Sequence, residues 1–300
     1  LYVKFPVRDQ PNTFFLVWTT TPWTLPANVA LAVHPDVRYA VVEQDGERLI
    51  VAEELLDRAI RGEYRVVESR YGRELLGMHY EPLYRFLPVE RDYAYVVAGQ
   101  FVTTEEGTGI VHIAPAFGAD DLAVAQQYEL PVLQTVDPDG RFVDQVEPWR
   151  GQFVKQADSS IVENLRQRGL LYHLGRYVHT YPFCWRCHSA LLYYAKATWL
   201  VKTTAVRERM LETNQQINWY PEYIKEGRFG NWLANNVDWA VGRERYWGTP
   251  LPVWQCRRCG AQECLGSVAE LRERSGLALK DLDLHRPYVD EVVIPCQRCD

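Results

Sequence analysis

Residues 18–28 of this 300-residue chain read Trp-Thr-Thr-Thr-Pro-Trp-Thr-Leu-Pro-Ala-Asn, and we call them the threonine motif. The apolar run 14–18 predicts a β-strand that ends in three consecutive hydroxyl side chains and then meets Pro22. Successive residues of a strand point to opposite faces, and proline interrupts strand pairing. We therefore expect the backbone to kink here and to gather the three hydroxyls at one edge.

A second stretch, residues 107–121, reads Gly-Thr-Gly-Ile-Val-His-Ile-Ala-Pro-Ala-Phe-Gly-Ala-Asp-Asp, and we call it the glycine–aspartate motif. It predicts a strand over 110–113, a turn marked by glycine and proline, and a helix over 120–128 that opens with Asp120 and Asp121. Hydroxyls donate or accept hydrogen bonds, and a carboxylate binds an ammonium group. If the two motifs meet, they form a pocket suited to a small polar substrate that carries an amine.

Together the two motifs resemble the editing domain of isoleucyl-tRNA synthetases. Valyl and leucyl relatives typically have Thr-Thr-Arg-Pro where this chain has Thr20-Thr21-Pro22-Trp23, which favours the isoleucyl family. The resemblance implies hydrolysis of valine wrongly esterified to the 3′-terminal adenosine of the isoleucine tRNA. One missing methylene gives only about 1–3 kcal/mol of discrimination, and isoleucyl-tRNA synthetase is itself the known example of this limit and of its correction by editing.

The resemblance also implies roles for individual residues. Asp121 would bind the substrate ammonium, whereas both aspartates could instead merely complement a helix N-terminus. Thr19, Thr20 and Thr21 would bind the adenosine end, the ester and the attacking water, although threonine also simply favours strands. His112 on an apolar strand would by itself more often be a core histidine, and it is the resemblance that implies a role in limiting side-chain size. Since no Ser-His-Asp or Cys-His arrangement is legible, we expect direct attack by water.

The fold class expected is α+β. Short strands predominate at 1–7, 14–18, 29–33, 39–42, 48–51, 65–69 and 93–98, with a hairpin turn at 44–47. Helices are expected at 53–60, 205–214 and 225–235, and a capping box at Ser160 predicts a helix start there. We expect a β-barrel-like editing domain at 1–180, inserted in a Rossmann-type α/β catalytic domain to which the chain returns over 181–255. Residues 256–300 would form a small zinc knuckle.

The seven cysteines form three Cys-x-x-Cys pairs and a single Cys264, and this number and spacing in a chain of 300 residues do not suggest a disulfide-bonded fold. The pairs Cys256/Cys259 and Cys296/Cys299 predict one structural zinc site of four thiolates, with no open position for water. Cys184 and Cys187 form a half-site, and the resemblance implies a second zinc with partner cysteines upstream of this chain. Cys264 is expected to be a small buried residue.

Residues 237–254 are similar to a segment of the class I catalytic domain, with Gly242 in place of the usual serine. The ATP signatures His-Ile-Gly-His and Lys-Met-Ser-Lys-Ser are absent, so ATP and Mg²⁺ are expected only in an intact synthetase. The chain starts at Leu1 inside an alternating pattern and stops one residue after a Cys-x-x-Cys, which suggests a fragment.

The formal net charge of −6 excludes a generic polyanion binder, so contacts to tRNA would need local basic patches such as Arg243 with Arg245 or Arg257 with Arg258. No apolar run of membrane-spanning length is present, and we expect a soluble, cytoplasmic monomer. Two other interpretations stay open: a zinc-stabilised tRNA-binding module without catalysis, and the editing region of a valyl or leucyl enzyme.

Overall fold

Residues 1–178, 180–242, 250–278 and 282–299 are described by a computed structural model of the chain. The model divides into unit 1, Leu1–Lys196, and unit 2, Ala197–Asp300. Helices and mixed sheets make the fold α+β, as the sequence predicts. The basic pair Arg243 and Arg245 lies outside the described residues.

The strands of unit 1 are β1 (Tyr2–Pro6), β2 (Thr13–Trp18), β3 (Ala30–Val33), β4 (Arg38–Gln44), β5 (Glu47–Ala52), β6 (Arg65–Tyr71), β7 (Tyr95–Ala98), β8 (Ile110–Ile113) and β9 (Leu171–His173). Six of them form a sheet in the order β6-β4-β5-β2-β1-β9, and a second sheet has the order β7-β3-β8. Each sheet is mixed, because β2 pairs with β5 and β3 pairs with β7 in parallel while the other pairs are antiparallel.

The hairpin between β4 and β5 shows why local sequence was a good guide in this unit. The two strands pair antiparallel up to Gln44 and Glu47, so the loop is Asp45-Gly46. Both loop residues have positive φ, 51° and 80° respectively. Such a turn matches the twist of the flanking strands and favours aspartate followed by glycine. The predicted hairpin is therefore confirmed.

The α-helices of unit 1 are α1 (Leu56–Ala59), α2 (Ala119–Gln127) and α3 (Val154–Gln167). A 3-10 helix of six residues covers Pro22–Ala27, and single 3-10 turns cover Glu53–Leu55, Gly72–Glu74 and Glu147–Trp149. The prediction that a helix starts at Ser160 is wrong, because α3 begins six residues earlier and the Ser160 hydroxyl donates to the Ala157 carbonyl. The apolar stripe of α3 already includes Val154 and Ala157, and its burial sets the helix start.

The core of unit 1 places the two sequence motifs beside each other. β3 pairs antiparallel with β8, so that Leu31 lies opposite His112. The 3-10 helix Pro22–Ala27 follows β2 and packs against α3. Two glycines directly before β8 adopt a positive φ and leave no room for a side chain. Gly107 has φ +76° and its backbone lies close to the Trp18 ring, while Gly109 has φ +71° and its backbone lies close to Ala52. The threonine motif and the glycine–aspartate motif therefore meet.

Unit 2 consists of short elements: β10 (Leu200–Val201), α4 (Arg207–Gln215), α5 (Arg228–Ala234), β11 (Trp239–Ala240), β12 (Val253–Gln255), β13 (Gln262–Cys264) and α6 (Val268–Ser275), with 3-10 turns at Thr203–Val206, Glu222–Ile224 and Tyr288–Glu291. β12 and β13 form a two-stranded ribbon, with Cys256 and Cys259 in its connecting loop and Cys264 at the end of β13. The expectation that Cys264 is buried is wrong: it is exposed, because a ribbon of two strands covers little of its own surface. Among the described residues, no helix combines the length and apolar character that crossing a membrane requires.

Candidate active site

A cavity of about 260 Å³ is lined by residues from the end of β2, the following 3-10 helix, β8 and the start of α2. Its wall includes the five residues that the resemblance implies for an editing site: Thr19, Thr20, Thr21, His112 and Asp121. The rest of its wall is Trp18, Thr24, Val111, Ala114 and Phe117. Pockets for drug-sized ligands measure about 300–1,000 Å³, so this one suits a small group such as an amino-acid side chain.

Hydrogen bonds join the threonine hydroxyls into a chain. The Oγ1 atoms of Thr19 and Thr21 are 3.3 Å apart, and those of Thr21 and Thr24 are 3.1 Å apart. Thr24 Oγ1 also lies 2.8 Å from the carbonyl of Thr21, which can only accept. The single hydrogen of Thr24 therefore points to that carbonyl, Thr21 donates to Thr24, and Thr19 donates to Thr21.

The same chain fixes the tautomer of His112. Its Nε2 lies 3.0 Å from Thr24 Oγ1, whose hydrogen is already committed, so Nε2 carries the proton and donates. Nδ1 is then the unprotonated nitrogen, and it is buried without a hydrogen-bond partner among the described residues. Burying this unpaired neutral nitrogen costs less free energy than burying a charged imidazolium would.

His112 is only 8% exposed, and its burial lowers the pKa to about 4. Desolvation disfavours the imidazolium, so the ring is neutral throughout the physiological pH range. A neutral ring with one fixed tautomer is a rigid, uncharged wall for the cavity. The ring is buried, as a core histidine would be, and it lines the cavity as well.

Asp121 lies in the first turn of α2, and its Oδ1 accepts the N–H of Ala114 at 2.6 Å. Burial raises the pKa of this carboxyl, an effect that the Ala114 bond partly offsets. The Oδ2 atom lies beside Gly118, where any Cβ would overlap it. The side chain is therefore held at the cavity by backbone contacts on two sides. Asp120, by contrast, is exposed and absent from the cavity wall.

Thr20 differs from its neighbours, because it is exposed and its hydroxyl makes no hydrogen bond within the described part of the chain. Thr24 is the residue that sequence reasoning missed. It lies inside the quoted threonine motif, but nothing in the local pattern showed that it would reach His112, 88 positions later. The two meet because the 3-10 helix that carries Thr24 lies between β2 and β3 in the chain, and both of these strands contact β8.

In unit 2, Cys256, Cys259, Cys296 and Cys299 have sulfur atoms that all lie within 4.8 Å of one another. The Cys256–Cys299 pair is 3.5 Å apart and the Cys259–Cys296 pair 3.7 Å apart. Four thiolates about 2.3 Å from one tetrahedral ion would be about 3.8 Å apart, so the cluster could hold a metal. Backbone N–H groups of Cys259 and Arg258 donate to the Cys256 sulfur and lower the pKa of that thiol.

Cys184 and Cys187 lie in unit 1, on a tight turn where the N–H of His188 donates to the Cys184 carbonyl. Within the described ranges, no third metal-ligating side chain joins them. They are a pair of thiols on a turn.

Residues 21–295 match the family model described as tRNA synthetases class I (I, L, M and V). The isoleucine–tRNA ligase of Clostridium tetani is 48% identical over 99% of this chain, and that of Bacillus thuringiensis is also 48% identical over 99%. The chain spans 29% of the length of each. The crystal structure of GlLeuRS-CP1 covers 58% of this chain and 99% of its own at 18% identity, with a TM-score of 0.46, which is too low to carry an argument.

Proposed function

The chain belongs to the class I tRNA synthetases, and we propose that unit 1 hydrolyses valine esterified to the isoleucine tRNA, as the proofreading part of an isoleucine–tRNA ligase. One observation carries this proposal: the three threonines, His112 and Asp121 line a single cavity of about 260 Å³. Its mixture of hydroxyls, one carboxylate and apolar wall matches an aminoacyl group with a short side chain.

In the proposed mechanism, the Oδ2 of Asp121, the oxygen that does not accept from Ala114, accepts from the substrate ammonium. The carboxylate is already oriented by Ala114, so little conformational freedom is lost on binding. Thr19, Thr20 and Thr21 hydrogen-bond the terminal adenosine, the ester and the attacking water. An aminoacyl ester is reactive, so a positioned water suffices and no covalent intermediate is invoked.

The neutral ring of His112 would limit the length of the side chain that enters. Because Thr24 fixes the ring through Nε2, the wall cannot rotate away without breaking a buried hydrogen bond. Valine would fit, and isoleucine would be excluded by one extra carbon.

We propose that Cys256, Cys259, Cys296 and Cys299 hold a structural Zn²⁺. Four thiolates close a tetrahedral zinc site, so its contribution is to folding. Cys184 and Cys187 would belong to a second zinc site. We propose that the chain consists of a barrel-like editing domain at 1–180, a segment of a Rossmann-type core at 181–255 and a zinc-binding insertion at 256–300. The same proposal includes ATP and Mg²⁺ only in the intact synthetase, tRNA as partner, and a cytoplasmic monomer.

The test is deacylation of valyl-tRNA by the purified chain and by Asp121→Asn, with Asp120→Asn as the matched control. An asparagine oxygen can still accept from Ala114, so the fold is kept while the charge is lost. Loss of one charge-assisted bond, about 1.5–3 kcal/mol, predicts a decrease of about 10- to 100-fold in kcat/KM. Asp120→Asn should match the wild type. A wild-type chain that binds tRNA and releases no valine would favour the non-catalytic module instead.

A further inference from the structure

The 3-10 helix Pro22–Ala27, which presents Thr24 to His112, receives no side-chain cap from its own first residues. Proline at its first position has no N–H, and the N–H of Thr24 is bonded to the Thr21 carbonyl. The N–H of Trp23 is therefore the one donor at this helix start that needs a partner from elsewhere. That partner is Asp158, whose Oδ1 accepts it at 3.0 Å.

Asp158 lies on α3, 135 residues away in sequence. Such a contact is a cap supplied by another helix, and a carboxylate is the strongest acceptor for it. Burial raises the pKa of Asp158 to about 6, against the opposing effects of Lys155 and of the Trp23 N–H. The carboxylate consequently remains mostly ionised at neutral pH.

α3 also holds the side chain of Trp23. The ammonium of Lys155, one turn before Asp158, lies 5.7 Å from the centre of the Trp23 ring. The Trp23 ring also packs edge-on against Phe117 at 5.0 Å between ring centres, and Phe117 lines the cavity. Asp158 therefore holds the backbone of Trp23, and Lys155 and Phe117 contact its ring, although Trp23 does not line the cavity itself.

We propose that Asp158 is a positioning residue of the proofreading site, holding the threonine motif so that Thr21 and Thr24 stay aligned with His112. This inference rests on the proposed function. Asp158 touches neither the cavity nor the substrate; it acts through the backbone of Trp23, the residue that directly precedes Thr24. Without the cap, the first turn of the 3-10 helix would lose its only external anchor at the amide of Trp23.

Three variants of the 300-residue chain separate the acceptor geometry from the charge. Asp158→Ala removes the acceptor, Asp158→Asn keeps an oxygen at the same distance without the charge, and Asp158→Glu keeps the charge on a longer arm. Glu163→Ala is the matched control, because Glu163 lies on the exposed side of the same helix and pairs with Arg166. Deacylation of valyl-tRNA is measured as separate kcat and KM, with hydrogen exchange of the Trp23 amide as a second readout.

We expect kcat to fall about tenfold in Asp158→Ala and Asp158→Glu, with KM within twofold of the wild type and faster exchange at the Trp23 amide. Asp158→Asn should restore both kcat and amide protection, and Glu163→Ala should change neither. Should the alanine variant not fold, the Asn and Glu pair decides. Wild-type kcat in Asp158→Glu, or equal losses in Asp158→Asn and Asp158→Glu, would overturn the positioning role. An inactive wild-type chain would instead refute the proposed function, and the exchange data would still report on the cap.

Discussion

The buried, neutral His112 makes the stability of unit 1 depend on pH in a defined direction. Its pKa is lowered from 6.5 to about 4 in the folded chain, so the unfolded chain binds the proton more readily. The stabilising contribution is therefore complete above pH 6.5 and is lost as the pH falls towards 4. Between pH 7.5 and pH 5, the two pKa values give a loss of about 2 kcal/mol at 1.36 kcal/mol per unit.

The perturbation that isolates this effect is His112→Phe, which keeps an aromatic ring of similar size but cannot titrate. Asp121 and Asp158, whose raised pKa values act in the opposite direction, are common to both proteins. We expect urea unfolding of the wild type to lose about 2 kcal/mol more than the variant over this pH interval. In thermal unfolding, this corresponds to about 4–8 °C for a unit of this size. Parallel pH profiles for the two proteins would refute the neutral, desolvated histidine.

Two further predictions use glycine and cysteine positions. The backbone at Gly118 tolerates alanine, but the added Cβ of Gly118→Ala would displace Asp121 Oδ2, so valyl-tRNA deacylation should fall about tenfold or more. Gly175→Ala is the control and should keep wild-type activity, because its Cβ would make only ordinary van der Waals contacts. Wild-type activity in Gly118→Ala would contradict the role of Asp121. If unit 2 binds zinc as proposed, metal analysis should find the zinc lost in Cys296→Ser and retained in Cys264→Ser, because Cys264 is not one of the four clustered cysteines. Equal zinc content in the two variants would exclude the four-cysteine site.

The sequence was most informative where a local pattern determines local geometry. Alternating apolar runs predicted the strands of unit 1, and Asp45-Gly46 predicted the hairpin because few residues adopt its positive φ angles. The capping-box spacing at Ser160 misled because burial of Val154 and Ala157 extends α3 towards its N-terminus. Tertiary packing there outweighed a local signal worth about 1 kcal/mol.

The sequence predicted which residues would belong to the candidate site, but it did not predict the hydrogen bonds that hold them in place. Thr19, Thr20, Thr21, His112 and Asp121 could be named because the two motifs resemble those of isoleucyl-tRNA synthetase editing domains; residue type alone favoured a strand end for the threonines and a core position for His112. Thr24 and Asp158 could not, because their partners lie 88 and 135 residues away and depend on strand pairing and helix packing. No periodicity or spacing in one sequence encodes contacts of that kind.

The direction of the hydrogen-bond chain also divides the work among the threonines. The hydroxyl hydrogens of Thr19, Thr21 and Thr24 are all committed to one another or to a carbonyl. These residues can accept from a substrate, but they can donate to it only after breaking a bond that holds His112 in place. The exposed Thr20 hydroxyl carries no such commitment in the described residues. In the proposed mechanism, Thr20 is therefore the threonine that can donate to a substrate without breaking an existing bond, while Thr19 and Thr21 engage it as acceptors.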